Sequence, residues 1–90
     1  MKQYHVQYSD AAFKTIRKLD PSMARLIVAW VGKNLEGCAD PRLHGKCLTG
    51  NRGGQWRYRV GDYRLLAEID DQQVMILMVS VGHRSEIYDR

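Results

Sequence analysis

A two-residue turn at Gly61-Asp62 limits how the second half of this chain can fold. Polar and apolar side chains alternate over residues 55–60 and again over residues 63–69, which is the pattern of two strands. Glycine at the first turn position favours a type II′ hairpin, and a turn of this length leaves one pairing register. The register predicts these opposed pairs: Val60 with Tyr63, Arg59 with Arg64, Tyr58 with Leu65, and Trp56 with Ala67.

Three arginines fall on one face of this predicted hairpin. Arg59 lies directly across from Arg64, and Arg57 is on the same side. Like charges at opposed positions destabilise a strand pair, whereas a bound anion would stabilise it. The planar guanidinium can also grip phosphate at two points. The pattern favours an anion site; the alternative is a solvated face on which Glu68 partners one arginine. The apolar side chains share the other face: Trp56, Tyr58, Val60, Tyr63, Leu65 and Ala67.

The first third of the chain is predicted to form a strand and a helical hairpin. Residues 4–8 alternate, and Ser9 suits a helix N-cap. Pro21 fits the first turn of a second helix, and Gly37 suits its end. Apolar residues recur at helical spacing and predict the face that packs on the sheet: Phe13, Ile16 and Leu19 in the first helix, then Met23, Leu26, Ile27, Trp30, Val31 and Leu35 in the second.

Residues 38–54 are predicted to form a long loop, and loops of this length in small domains are often functional. Residues 74–81 are apolar on both faces, which indicates a central strand. A four-residue turn before them would pair Ile69 with Val74 and Arg64 with Val79. The tail residues His83, Arg84 and Tyr88 would then follow beside Arg64.

The bulk properties indicate one soluble domain spanning residues 1–90. A net charge of +4, from 14 basic and 10 acidic residues, favours a polyanionic partner, although it could serve solubility alone. Cys38 and Cys47 form no CxxC motif, and no spacing suits zinc, so we expect neither metal nor cofactor. The polar N-terminus and the absence of a long apolar run predict a cytoplasmic protein with no membrane partner.

Two segments resemble the RelE-like toxins. Residues 54–66 are similar to the family pattern G-x-W-R-x-R-x-G-x-Y-R, and residues 80–88 are similar to its V-G-x-R…V-Y ending. The likeness spans nearly the whole chain. It implies a small α+β domain in which an N-terminal strand and a two-helix hairpin pack on an antiparallel sheet, as in microbial ribonucleases. It also implies a type II toxin with a RelB-like antitoxin, which reaches operator DNA only in that complex.

The resemblance further implies a ribonuclease that enters the A site of the 70S ribosome and cuts mRNA. The 2′-hydroxyl attacks the adjacent phosphate without a metal. Arg59 and Arg64 would stabilise the phosphate, and Arg84 would hold the leaving oxygen or donate to it. Tyr88 and His83 are alternative proton-transfer groups, because arginines lower a phenol's pKa and imidazole titrates near neutrality. Three further cations are predicted to bind RNA: Arg57, Lys46 and Arg52.

Two other functions remain open on the sequence. A ParE-like toxin would inhibit DNA gyrase without cutting RNA, and an inactive relative would bind only its antitoxin and operator DNA. Fold alone does not separate these functions. A gyrase inhibitor does not need clustered arginines beside a tyrosine, so the arginines favour the nuclease.

Overall fold

The computed structural model describes residues 2–47 and 55–83, which form one five-stranded sheet with two helices on one face. The strands are β1 (His5–Tyr8), β2 (Lys46–Cys47), β3 (Gln55–Val60), β4 (Tyr63–Asp70) and β5 (Met75–His83), and the helices are α1 (Asp10–Lys18) and α2 (Pro21–Asn34). The order across the sheet is β1-β5-β4-β3-β2. The pairs are antiparallel except β1–β5, which is parallel. No helix in the described ranges is long and apolar enough to cross a membrane.

The β3–β4 hairpin has the predicted register. Arg59 pairs with Arg64, and Val60 pairs with Tyr63. Gly61 has φ 60°, in the left-handed region that glycine enters without steric cost. The two-residue turn therefore fixes which side chains share a face, as the sequence predicts.

The predicted β4–β5 register is wrong. Ile69 pairs with Ile76 rather than Val74, and Arg64 pairs with Gly82 rather than Val79. The turn starts later than predicted because the Asp70 carboxylate accepts hydrogen bonds from the backbone N–H groups of residues 72 and 73, at 3.0 Å each. Residue 74 then occupies the turn with φ 55°. An irregularity between residues 66 and 67 of β4 shifts the pairing by one more position.

The first helix begins at its predicted cap, and the second begins with Pro21 in its first turn, as predicted. The Ser9 hydroxyl accepts a hydrogen bond from Ala12 N at 3.0 Å, and the Asp20 carboxylate accepts one from Ser22 N at 3.2 Å. These side chains satisfy N–H groups that have no partner within the helix. Gly37 follows α2 with φ 79°, so it ends the helical hairpin in a left-handed conformation.

The core lies between the helices and the inner face of the sheet. Phe13 and Leu26, predicted to face this core, are instead 52% and 48% exposed. Successive helical residues are turned by about 100°, and the narrow inner face of α1 is already occupied by Ala12 and Ile16. The buried apolar residues are Tyr4, Ala12, Ile16, Ile27, Val31, Leu35, Tyr58, Val60, Leu65, Ala67, Ile69, Ile76, Met78 and Val81.

The predicted loop is partly ordered by contacts with β3. It contains a 3-10 turn, Pro41–Leu43, and strand β2. The Trp56 indole donates to the His44 carbonyl at 2.5 Å, and the Tyr58 hydroxyl donates to the Pro41 carbonyl at 2.7 Å. A Cβ atom on Gly45 would lie 2.1 Å from a backbone oxygen of β3, so the chain approaches as closely there as glycine allows. Residues 48–54 of that loop lie outside the described ranges.

The segment that follows α2 covers the outer edge of β1. The Glu36 carboxylate accepts a hydrogen bond from Val6 N at 2.8 Å and lies 2.9 Å from the His5 ring nitrogen. Gly37 N donates to the Tyr4 carbonyl at 2.7 Å. The Val6 N–H, and then the His5 ring, lower the pKa of Glu36, which keeps the carboxylate ionised. The first strand is thus bonded on both sides.

Candidate functional site

The sheet surface opposite the helices carries four cations, which we call the basic face: Lys46 on β2, Arg57 and Arg59 on β3, and Arg64 on β4. Lys46 pairs with Arg57, and Arg59 pairs with Arg64. Residues opposed across two strands project from the same side of a sheet. The intervening residues of β3 and β4 point into the core, where Tyr58 and Leu65 are fully buried. Alternation along the strands thus separates the cations from the core.

The arginines of the basic face affect one another. Burial, and then the charges of Arg64 and Arg59, lower the pKa of Arg57. The Arg57 Nη1 and Arg64 Nε atoms are shielded from solvent, whereas Arg59 is exposed. Guanidinium groups keep their charge at neutral pH in proteins, so the lowered pKa of Arg57 does not remove the repulsion. An oxyanion bound between them would reduce their mutual repulsion.

Glu68 does not neutralise this surface. It lies on the same face, opposite Gln55 and Leu77, and is exposed. The ion pairs between described residues are elsewhere: His5 with Glu36, and Arg42 with Asp71. The alternative in which Glu68 partners an arginine is therefore not what the structure shows.

Small residues border the basic face on β5. Arg64 lies opposite Gly82, and Leu66 lies opposite Ser80. Glycine and serine add little bulk of their own above a sheet. Gly82 is nevertheless buried, and the Nε atom of Arg64 is shielded from solvent.

His83 is on the other side of the sheet. It pairs with Tyr63, and the two rings meet edge to face with centroids 5.4 Å apart. Tyr63 packs against the core cluster, so the imidazole points away from the side chains of the basic face. With the correct β4–β5 register, strand alternation alone would have indicated this position. Three other predicted site residues lie outside the described ranges: Arg52, Arg84 and Tyr88.

A second charged cluster, which the sequence analysis did not predict, lies near the β4–β5 turn. Arg42 donates two hydrogen bonds to the Asp71 carboxylate, at 3.1 and 3.0 Å, and the Tyr4 hydroxyl donates a third at 2.6 Å. Arg42, and then Tyr4, lower the pKa of Asp71 to about 2. These residues are far apart in sequence, and no motif links them. The cluster ties β1 and the 3-10 turn to the β4–β5 turn.

The described ranges contain no group of three or more metal-ligating side chains close enough to hold an ion. The chemistry that the described residues offer is electrostatic. The basic face presents several positive charges on a rigid sheet, which suits a phosphodiester backbone.

Comparison with known proteins identifies the family. A family model described as "ParE toxin of type II toxin-antitoxin system, parDE" matches residues 6–88. The chain belongs to the RelE/ParE toxin superfamily. This RelE/ParE toxin is 32% identical to "Toxin RelG" of Mycobacterium tuberculosis over 87 residues, which cover 97% of the chain and 98% of the relative.

Solved structures agree with that family. The toxin in the RelBE2 toxin–antitoxin complex of Mycobacterium tuberculosis has a TM-score of 0.77 and 30% identity, covering 96% of this chain and 97% of that one. Isolated Escherichia coli RelE has a TM-score of 0.70 at 21% identity, covering 89% and 83%. The predicted small α+β fold is confirmed, with a mostly antiparallel sheet. The relatives place this RelE/ParE toxin on the RelE-like branch.

Proposed function

We propose that this toxin is a ribosome-dependent endoribonuclease that cuts mRNA in the ribosomal A site. The 2′-hydroxyl of one nucleotide would attack the adjacent phosphate without a metal. The observation that supports this most directly is the pairing of Arg59 with Arg64 on the sheet face opposite the helices. Two opposed guanidinium groups repel each other, and a phosphodiester held between them would offset that repulsion and accept hydrogen bonds from both.

Arg59 and Arg64 stabilise the negative charge that grows on the phosphate during attack. One well-aimed donor of this kind contributes about 3–4 kcal/mol to lowering the barrier. Arg57 and Lys46, which are also opposed, hold neighbouring phosphates of the message. Arg52 is also proposed to bind a phosphate of the message, and the ground for this is its positive charge alone.

Proton transfer falls to groups other than these arginines, because a guanidinium cannot lose a proton at neutral pH. We assign it to Tyr88. Its phenolate would take the proton of the 2′-hydroxyl as the bond from that oxygen to phosphorus forms, and the phenol would return the proton to the 5′-oxygen as its bond to phosphorus breaks. The charge of Arg84 would stabilise the leaving 5′-oxygen. Both residues rest on the resemblance of the tail to the family ending. His83 is the less suitable group, because its ring packs on Tyr63 behind the sheet.

A RelB-like antitoxin is the proposed partner of this toxin. The support is its likeness to a toxin solved within a RelBE2 complex, at 30% identity over 96% of the chain. The antitoxin would block the basic face and carry the toxin to operator DNA. The proposed substrate, mRNA on the 70S ribosome, puts the active toxin in the cytoplasm.

A cleavage map tests the proposal. Purified toxin is added to a reconstituted translation reaction, and new 5′ ends of the message are located by primer extension. We expect ends inside A-site codons, and only with ribosomes present. Arg64→Gln should cut at least about 100-fold more slowly. Arg25→Gln is the matched control, because Arg25 is an exposed cation on α2. An intact message, or full activity of a folded Arg64→Gln variant, contradicts the proposal.

Inhibition of DNA gyrase is the second candidate. The observation that favours it is the family model, which is named for ParE and matches residues 6–88. A supercoiling assay with purified gyrase separates the two candidates. Loss of supercoiling beside an intact message would support the ParE-like function.

A further inference from the structure

Helix α1 carries a second basic surface, which we call the helix patch: Phe13, Lys14, Arg17 and Lys18. All four side chains are exposed, and the three cations line an open concave surface. The inner side of α1, with Ala12 and Ile16, packs against the sheet. The helix patch and the basic face therefore lie on opposite sides of the molecule, so one short strand of RNA cannot cover both.

Folding explains the helix patch only in part. Lys14 and Lys18 are four residues apart, and like charges at that spacing destabilise a helix. None of its three cations forms an ion pair with another described residue. Phe13 is 52% exposed, although burying such a ring would add stability. Two features do favour α1 itself: Arg17 and Lys18 lie in the last turn, where cations suit the helix dipole, and the Arg17 guanidinium stacks on the Phe13 ring one turn away.

The Phe13 ring and the Arg17 guanidinium are already stacked. The guanidinium carbon lies 5.7 Å from the ring centroid. An exposed aromatic ring beside cations is the usual arrangement for holding single-stranded nucleic acid, since bases stack on the ring and cations track the phosphates. Protein interfaces are instead depleted of lysine, and two of the three cations here are lysines. The composition thus favours RNA over an acidic protein.

We propose that the helix patch is an RNA-binding site separate from the cleavage site. It takes a structured RNA with an unpaired base: Phe13 stacks on the base, and Lys14, Arg17 and Lys18 contact the flanking phosphates. That this RNA is ribosomal rests on the proposed function. That the helix patch binds RNA does not depend on it. On the ribosome, the helix patch would hold ribosomal RNA while the basic face, on the opposite side, faces the message.

The test is the salt dependence of binding to a fluorescent RNA hairpin with an unpaired loop. The hairpin carries 2′-O-methyl groups, so no 2′-hydroxyl is available for cleavage. In the triple variant Lys14→Gln, Arg17→Gln, Lys18→Gln, the helix keeps good helix-forming residues. Each cation that releases a counterion contributes about 0.7–0.9 to the slope of log affinity against log salt. Between 50 and 200 mM salt, wild-type affinity should therefore fall about 20- to 40-fold more than that of the variant.

Two further variants separate a site from general charge. A control with Lys2→Gln, Arg25→Gln and Lys33→Gln loses the same three charges from other exposed positions, and it should keep the wild-type slope. Phe13→Ala should weaken binding about 5- to 150-fold at every salt concentration, which is the range for loss of one stacked base. Its slope should not change.

Three outcomes would overturn the inference. An equal loss of slope in the control variant would mean that net charge alone attracts RNA. Full affinity in Phe13→Ala would remove the stacked base. Binding of a polyglutamate helix, but not of the hairpin, would make the helix patch a protein surface. Because no cleavage is measured, failure of the proposed nuclease activity gives a different result: hairpin binding persists while the message stays intact on ribosomes.

Discussion

Replacing Arg59 by threonine tests whether repulsion between the arginines of the basic face lowers the stability of the fold. Arg59 is exposed and directly opposite Arg64, so the change opens no cavity and leaves no buried polar group. Threonine is well suited to an exposed strand position. Cross-strand pairs of this kind change stability by about 0.2–1 kcal/mol, and the sign is unfavourable for like charges. Arg59 also acts on Arg57, because its charge is one of the causes that lower the pKa of that residue.

We therefore expect Arg59→Thr to raise the free energy of unfolding by up to about 1 kcal/mol. For a domain of this size, that gain corresponds to a rise in Tm of about 4–8 °C, measurable by circular dichroism. The gain should shrink in 1 M salt, where the screening length falls to about 3 Å. The same variant should cut mRNA about 100- to 1,000-fold more slowly, since it lacks a phosphate donor.

The matched control is Gln55→Thr. Gln55 lies on the same strand and the same face, but opposite Glu68, so threonine enters there without relieving a repulsion between cations. The change in Tm that Gln55→Thr causes, relative to wild type, should be the same at low and at high salt. A lower Tm for Arg59→Thr at low salt, or an equal gain at low and high salt, would refute the idea that the arginines repel one another.

Three further predictions concern other parts of the molecule. Asp71 is ionised and bonded in the fold, with its pKa lowered to about 2 against about 3.9 in an unfolded chain, so its stabilisation is present above pH 4 and lost as the pH falls to 2. In a pH series of urea unfolding, this residue should account for a loss of about 1 kcal/mol or less, because the pair is half exposed. Asp71→Asn should lack this part of the acid loss and keep the part that comes from Glu36, whose pKa is also lowered. Gly45→Ala should destabilise the fold by about 1–3 kcal/mol more than Gly37→Ala in the same assay. Both glycines have a left-handed backbone conformation, but only an alanine at position 45 would place a Cβ atom 2.1 Å from a backbone oxygen. Equal costs of the two substitutions would show that the close approach is unimportant. Tyr88→Phe should abolish message cleavage with an unchanged Tm, and a fully active variant would exclude the phenol from proton transfer.

Local patterns predicted the hairpin well. The turn at Gly61-Asp62 sets the β3–β4 register within a few residues, and Ser9 and Asp20 cap helices through their own backbone neighbours. Each of these features depends on interactions that a short stretch of sequence contains. The arginine pairing at the centre of the candidate site was therefore predictable.

Features that depend on contacts between residues far apart in sequence, or on departures from regular strand geometry, were not predictable. The β4–β5 register depends on the Asp70 side chain in the turn and on an irregularity within β4, which no periodic pattern shows. That error also placed His83 beside Arg64, whereas it pairs with Tyr63 and its ring meets the Tyr63 ring. The exposure of Phe13 follows from how narrow a face α1 presents, which is a property of packing rather than of spacing.

The hydrogen bonds along the outer edge of β1 have a consequence for the protein before it meets any partner. An open strand edge is a template for another chain, and many aggregates grow by adding strands to such an edge. Here Glu36 and Gly37 already bond to that edge, and the Glu36 carboxylate adds a charge that repels an incoming backbone carbonyl. The first strand is thereby protected from pairing with a strand of another copy of the protein.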